Sequence, residues 1–225
     1  MAMSKFFKAG AAFAATSAFA LSAAGAANAA GPIQVPAGHT DIVEVVCTLN
    51  ASGNPQYEIG SHLSGIGDVP NATTVLSDYI FTFDKSDDPA WITKSGSWWT
   101  VSGASAAEPD IVYAGFHYEP ASSKCAKTVK IDLKNASGGA GNNVNFTSNA
   151  PQPGYASNGT TSTQNTNVVT LGNDLNPLST PVAEHIHGTW KFYSAVGKTF
   201  PLAFDVTVAG QPTVTVQTAN FRVQN

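Results

Sequence analysis

The sequence predicts an all-β protein: a mostly antiparallel β-sandwich, immunoglobulin-like or jelly-roll-like, with one disulfide. Three observations carry this expectation. Apolar and polar residues alternate with a period of two in one segment after another, and those segments are rich in Val, Ile, Thr and aromatic residues. Beyond the N-terminal region no stretch spaces its apolar residues as an amphipathic helix does. Turn-forming clusters separate the alternating segments, at Asn50 to Asn54, Asp87-Asp88-Pro89, Gly138-Gly139 and Ala209-Gly210-Gln211.

In chain order the strands are expected at 41–49 (DIVEVVCTL), 55–63 (PQYEIGSHL), 73–83 (TTVLSDYIFTF), 97–101 (SWWTV) and 110–119 (DIVYAGFHYE). They continue at 126–133 (AKTVKIDL), 165–171 (NTNVVTL), 184–193 (EHIHGTWKFY), 200–208 (FPLAFDVTV) and 212–223 (PTVTVQTANFRV). Each is an alternating or β-branched run bounded by turn residues. Residues 135–173 differ: they hold no Asp, Glu, Lys or Arg and are rich in Asn, Ser, Thr, Gly and Gln. They read as long loops or a hairpin excursion. The strands after that excursion are few for an independent core, so residues 30–225 are expected to form one domain.

Residues 1–29 read as a secretory signal peptide. Lys5 and Lys8 precede an Ala-rich apolar run, and Ala27-Asn28-Ala29 supplies the small-residue cleavage pattern. The leader looks bacterial, and it places the mature chain outside the cytoplasm, extracellular or periplasmic. No later segment is long and apolar enough to span a membrane. Removing the leader takes two lysines and no acids, so the formal charge moves from -4 to -6. A mildly acidic chain without clustered positive charge argues against nucleic acid as a partner. Two cysteines, Cys47 and Cys125, in an exported chain predict a disulfide, closing a loop worth roughly 4 kcal/mol in the chain-entropy model. There is no CxxC, no GxSxG, no phosphate loop and no dinucleotide glycine pattern. Acidic pairs such as Asp87-Asp88 fall in turn-like segments, so no catalytic activity is expected.

The chemistry concentrates in the five histidines. In a strand over 184–193, Ile186, Trp190 and Phe192 share the face that looks like core. His185 and His187 then share the opposite face, away from the apolar interior, with Cα atoms about 6.5–7 Å apart. Both can reach one ion, but a site needs further ligands. His39 and Asp41 share a face at i and i+2, His62 ends a polar face, and His117 lies two residues before Glu119. Carboxylates so placed ligate directly or orient an imidazole. The expected metal site is therefore His185 and His187 with His39, His117 and His62, and neutral imidazoles favour Zn²⁺ or Cu²⁺ over Mg²⁺. Trp98 and Trp99 are adjacent and point to opposite faces, one into the core and one outward. That leaves two other readings: an adhesion or structural surface module, and a carbohydrate-binding module that stacks sugar on an exposed tryptophan.

The order of short motifs resembles the bacterial surface-anchored repeat proteins grouped as choice-of-anchor M, or actinobacterial surface-anchored, domains. The matching pieces are Gly38-His39-Thr40-Asp41, Gly115-Phe116, His185-Ile186-His187, Trp190-Lys191-Phe192 and the turn from Val196 through Gly197 to Leu202. The resemblance implies a surface or exported β-sandwich that binds a transition metal and works beside a cell-surface or metal-transporter partner. His39, His185 and His187 fall on the family's motif positions. The chain ends at Asn225 without a sorting motif or hydrophobic tail, so covalent attachment to a wall is not expected.

Overall fold

In the computed structural model, residues 31–70, 76–87, 90–102, 111–135, 144–148, 168–172, 181, 183–194 and 196–225 are described. The expected signal peptide, residues 73–75 and most of the charge-free excursion lie outside them. Pro32–Asn225 is one compact unit.

The described strands are β1 (Ile33–Gln34), β2 (Gly38–Leu49), β3 (Pro55–Leu63), β4 (Gly67–Val69), β5 (Tyr79–Asp84), β6 (Ile92–Ser95) and β7 (Trp98–Val101). They continue with β8 (Val112–Pro120), β9 (Thr128–Asn135), β10 (Val144–Ser148), β11 (Val168–Gly172), β12 (Glu184–Tyr193), β13 (Lys198–Val208) and β14 (Val214–Gln224). They form a sandwich of two sheets. One runs β1-β5-β14-β13-β9-β11; the other runs β4-β3-β2-β8-β12-β7-β6, with β10 also paired to β12. Most pairings are antiparallel as expected, but β1 with β5, β5 with β14 and β2 with β8 run parallel, so both sheets are mixed.

The core is aromatic because the inward positions of the alternating strands are. Phe116, Trp190 and Phe192 face Phe81, Phe83, Phe204 and Phe221 from the other sheet, all essentially buried. Phe116 meets Phe204 edge-on at 5.7 Å between ring centroids, and Trp190 lies 5.0 Å from Phe221. Such pairs each add about 0.5–1.5 kcal/mol beyond area burial. Trp190 Nε1 donates to the Ala114 carbonyl at 3.1 Å, so the indole carries no unpaired polar atom into the core.

Cys47 and Cys125 form the expected disulfide, with Cα atoms 6.1 Å apart. It ties the end of β2 to the loop through which the chain leaves β8 in one sheet for β9 in the other. Tyr118 Oη donates to the Ala126 carbonyl and Ala126 N donates to Tyr57 Oη in the same loop.

Four strands escape the sequence reading. Three are short or marginal at a sheet edge: β1, β4 and β6, too brief for a period to show. The tight connection Gly96-Ser97, with Gly96 at a φ of 58°, turns β6 directly into β7. The fourth, β10, lies in the charge-free excursion. Among the described residues that excursion gives one strand to each sheet, since β10 pairs β12 and β11 pairs β9. The expected strand over 73–83 is shortened: Leu76–Asp78 is a turn of 3-10 helix, and the strand begins at Tyr79.

Candidate metal centre

β2, β8 and β12 lie side by side, and their registers stack the titratable residues in two rows on the outer face of the sheet. One row is Asp41, Gly115 and His187; the next is Glu44, His117 and His185. Gly115 decides the first row. It has no side chain, so Asp41 and His187 meet across β8. A Cβ there would stand 2.6 Å from His187 Nδ1.

Four ligand atoms converge. His39, His185 and His187 bring their Nε2 atoms within 2.8–3.0 Å of one another. Asp41 Oδ1 lies 2.5 Å from His185 Nε2, 3.7 Å from His187 Nε2 and 3.9 Å from His39 Nε2. A tetrahedral ion with bonds of about 2.0–2.1 Å spaces its ligand atoms about 3.3 Å apart, and the observed separations bracket that value. Three imidazole nitrogens that share one point cannot all be satisfied by hydrogen bonds to each other, because each offers a single donor or a single acceptor there. One cation at that point satisfies all of them and the carboxylate together.

Burial is graded across the site. The side chains of Asp41, His185 and His187 are 4%, 11% and 1% exposed, whereas His39 is 40% exposed and forms the solvent side. His185 and His187 leave the apolar core as the alternation predicts, but they are not turned to water. Tyr113, on the same face of β8, stacks flat on His187 with ring centroids 4.0 Å apart and planes within 5°. His187 Nδ1 has no well-formed hydrogen-bond partner.

These surroundings favour the neutral forms of His187 and His39. Burial, then the neighbouring His185, lowers the His187 pKa to about 3; Asp41 opposes this, and the Tyr113 backbone offsets it only slightly. Burial also lowers His39, against the pull of Asp41. Burial pushes Asp41 upward, but the hydrogen bond and charge of His185, with His39 and His187 beyond, outweigh it and hold the carboxyl below its ordinary value. A neutral imidazole and an ionised carboxylate are the forms that bind metal.

His117 and His62 are near but do not enter this set. His117 Nδ1 lies 2.9 Å from Glu44 Oε1, and its ring is 5.0 Å from that of His185. Burial would lower its pKa, but the Glu44 hydrogen bond, with Asp41, Glu44 and Glu119 as charges, raises it. Asp41, Glu44 and His117 thus make a second group whose ligand atoms lie within 4.8 Å of one another. His62 pairs with Asp68 at 2.6 Å on the surface, its ring 6.4 Å from that of His39. All five histidines therefore gather on one sheet face, and three of them share one point.

Sequence reasoning missed Glu44 as a site residue. In a regular strand Asp41 and Glu44 point to opposite faces. A β-bulge in β2, where the register shifts between Asp41 and Val43 against β8, returns both to the same face. Tyr113 carried a signal, since Tyr113, Gly115 and His117 alternate on one face of β8.

The tryptophans are packed. Trp99 is buried and donates through Nε1 to the Ser194 carbonyl at 2.9 Å; Trp98 is half-buried, edge-on to Tyr193 at 5.0 Å. Among the described residues no tryptophan is exposed.

Fold and site together define a mixed-sheet β-sandwich with a three-histidine, one-aspartate cluster able to hold a metal ion. Against protein-family models, curated proteins and solved structures, the chain matches none.

Proposed function

We propose that this is an exported, non-catalytic protein that binds a transition metal through His39, Asp41, His185 and His187. The observation that carries the reading is the convergence of three Nε2 atoms and one carboxylate oxygen on a single point. The donor set of three imidazoles and one carboxylate suits Zn²⁺ or Cu²⁺. Four protein ligands complete a tetrahedral shell, the pattern of sites that hold rather than activate, since catalytic zinc keeps a position open for water. Export is supported by the leader pattern of residues 1–29 and by a disulfide, which persists in oxidising compartments. The resemblance to surface-anchored domains supports a cell-surface or transporter partner that receives or supplies the ion. The half-exposed His39 is the side from which such a partner would reach it.

The test is calorimetric titration of chelator-stripped protein with zinc and with copper, beside a His185→Ala/His187→Ala double variant. The wild type is expected to bind one ion tightly at this point and the variant to lose it. Equal binding by both proteins, or none by either, refutes the proposal.

A further inference from the structure

We propose that the same sheet face holds a second cation, bound by Asp41, Glu44 and His117, with Asp41 shared between the two positions. This rests on the metal-binding reading above and extends it. The second row of the β2–β8–β12 ladder places Glu44, His117 and His185 directly beside one another, so the two groups are contiguous. Their ligand atoms already stand at coordinating separations: His117 Nδ1 is 2.9 Å from Glu44 Oε1, and the Asp41 carboxylate lies within 4.8 Å of both. The His117 and Glu44 side chains are only 14% and 18% exposed. Two carboxylates and an imidazole drawn together in a half-buried place form a donor set that one cation can satisfy at once. Asp41 can serve both positions, because an ionised carboxylate has two oxygens and about four lone-pair sites.

The β2 bulge sharpens the case. Without it Glu44 would face the other side of the sheet, and Asp41 would have no second carboxylate beside it. The chemistry of the two positions differs. The first is rich in nitrogen; the second offers two carboxylates and one imidazole, a donor set that suits a harder cation such as Mn²⁺ as well as zinc. With three protein ligands it leaves room for water, so the second ion is the weaker and the more readily exchanged.

Stoichiometry tests this. Chelator-stripped protein is titrated with zinc alone and counted by native mass spectrometry, and then protein carrying one equivalent of Cu²⁺ is titrated with Mn²⁺ and followed by electron paramagnetic resonance. The wild type is expected to take two zinc ions. Mn²⁺ bound about 3.5–4 Å from Cu²⁺, the usual two-metal spacing, is expected to change the copper signal by spin coupling. Glu44→Gln and His117→Ala should each lose the second equivalent and the coupling while keeping the first ion within about threefold. Glu44→Gln preserves shape, so it guards against a folding defect in His117→Ala. One zinc per wild-type chain, or a second equivalent and coupling that survive Glu44→Gln, overturns the proposal while leaving the single-ion site intact. Failure to bind any ion overturns both.

Discussion

Replacing Gly115 with alanine is the smallest change that tests the site and the sheet together. Gly115 has no positive φ, so the constraint is space, not backbone conformation. An added Cβ would lie 2.6 Å from His187 Nδ1 and 2.8 Å from its Cε1, and it would also press on the Ile186 carbonyl. The imidazole cannot swing away freely, because Tyr113 is stacked on it at 4.0 Å. The carbonyl cannot move without parting β8 from β12. Overpacking of this kind costs about 1–3 kcal/mol. For a unit of this size that corresponds to a Tm lower by roughly 2–12 °C. Displacing His187 also misaims one of the four ligands, and even the loss of a partner that merely orients a ligand costs about 10–100-fold in affinity. Thermal melts of the metal-free proteins and zinc titrations of both would measure the two effects. A Gly115→Ala protein that melts within about 1 °C of wild type (a negligible shift on the same scale) and binds zinc equally well would refute the strand register and the position of His187.

Metal-free protein is expected to lose stability as the pH falls below about 6.5, the ordinary histidine value. His187 stays neutral when folded but protonates when unfolded, so the unfolded state binds more protons and this group contributes a slope of about 1.4 kcal/mol per pH unit; the half-exposed His39 shifts in the same direction and adds to the loss. His117 acts in the opposite sense: its raised pKa adds stability below about 6.5 that is lost as the pH rises through its folded value. Denaturation at a series of pH values, with and without zinc, would show a flat metal-free curve from about pH 4 to 7 if this is wrong. A Cys47→Ala/Cys125→Ala variant should lose roughly 4 kcal/mol by urea denaturation, the chain-entropy value for a loop of 78 residues; a loss below about 1 kcal/mol would mean the crossing is held by its hydrogen bonds alone. His62→Ala should leave zinc affinity within about twofold while changing the rate of release to a chelator, because His62 stands outside the cluster beside its exposed member. A tenfold loss of affinity would make His62 a ligand.

The strands that build the site are plainly legible in the sequence. Residues 184–193 alternate without a break, so the inward register of Ile186 and Trp190 is enough to fix the face of both histidines. Gly38-His39-Thr40-Asp41 likewise places its two ligands on one face. Alternation cannot supply what depends on neighbouring strands. That β2 lies parallel beside β8, between β3 and β8, is a long-range choice, and only that choice brings Asp41 opposite Gly115. The bulge that turns Glu44 toward Asp41 leaves no mark in composition, since DIVEVV reads as an ordinary buried strand. The burial of His187 is hidden for a similar reason: Tyr113 covers it from another strand.

The four converging ligands come from two strands far apart in the chain, β2 and β12. His39 and His187 are separated by 148 positions in the chain, and the strands that carry them meet only through β8 between them. No fragment that lacks β2 or β12 can form the point at which they converge. Acquisition of the ion is therefore a late event in the life of the molecule, possible only once synthesis has passed β12 and the sheet has closed around β8. A bound ion would mark a chain whose β2, β8 and β12 are paired in register, and one cut short before β12 or misregistered would be left without it.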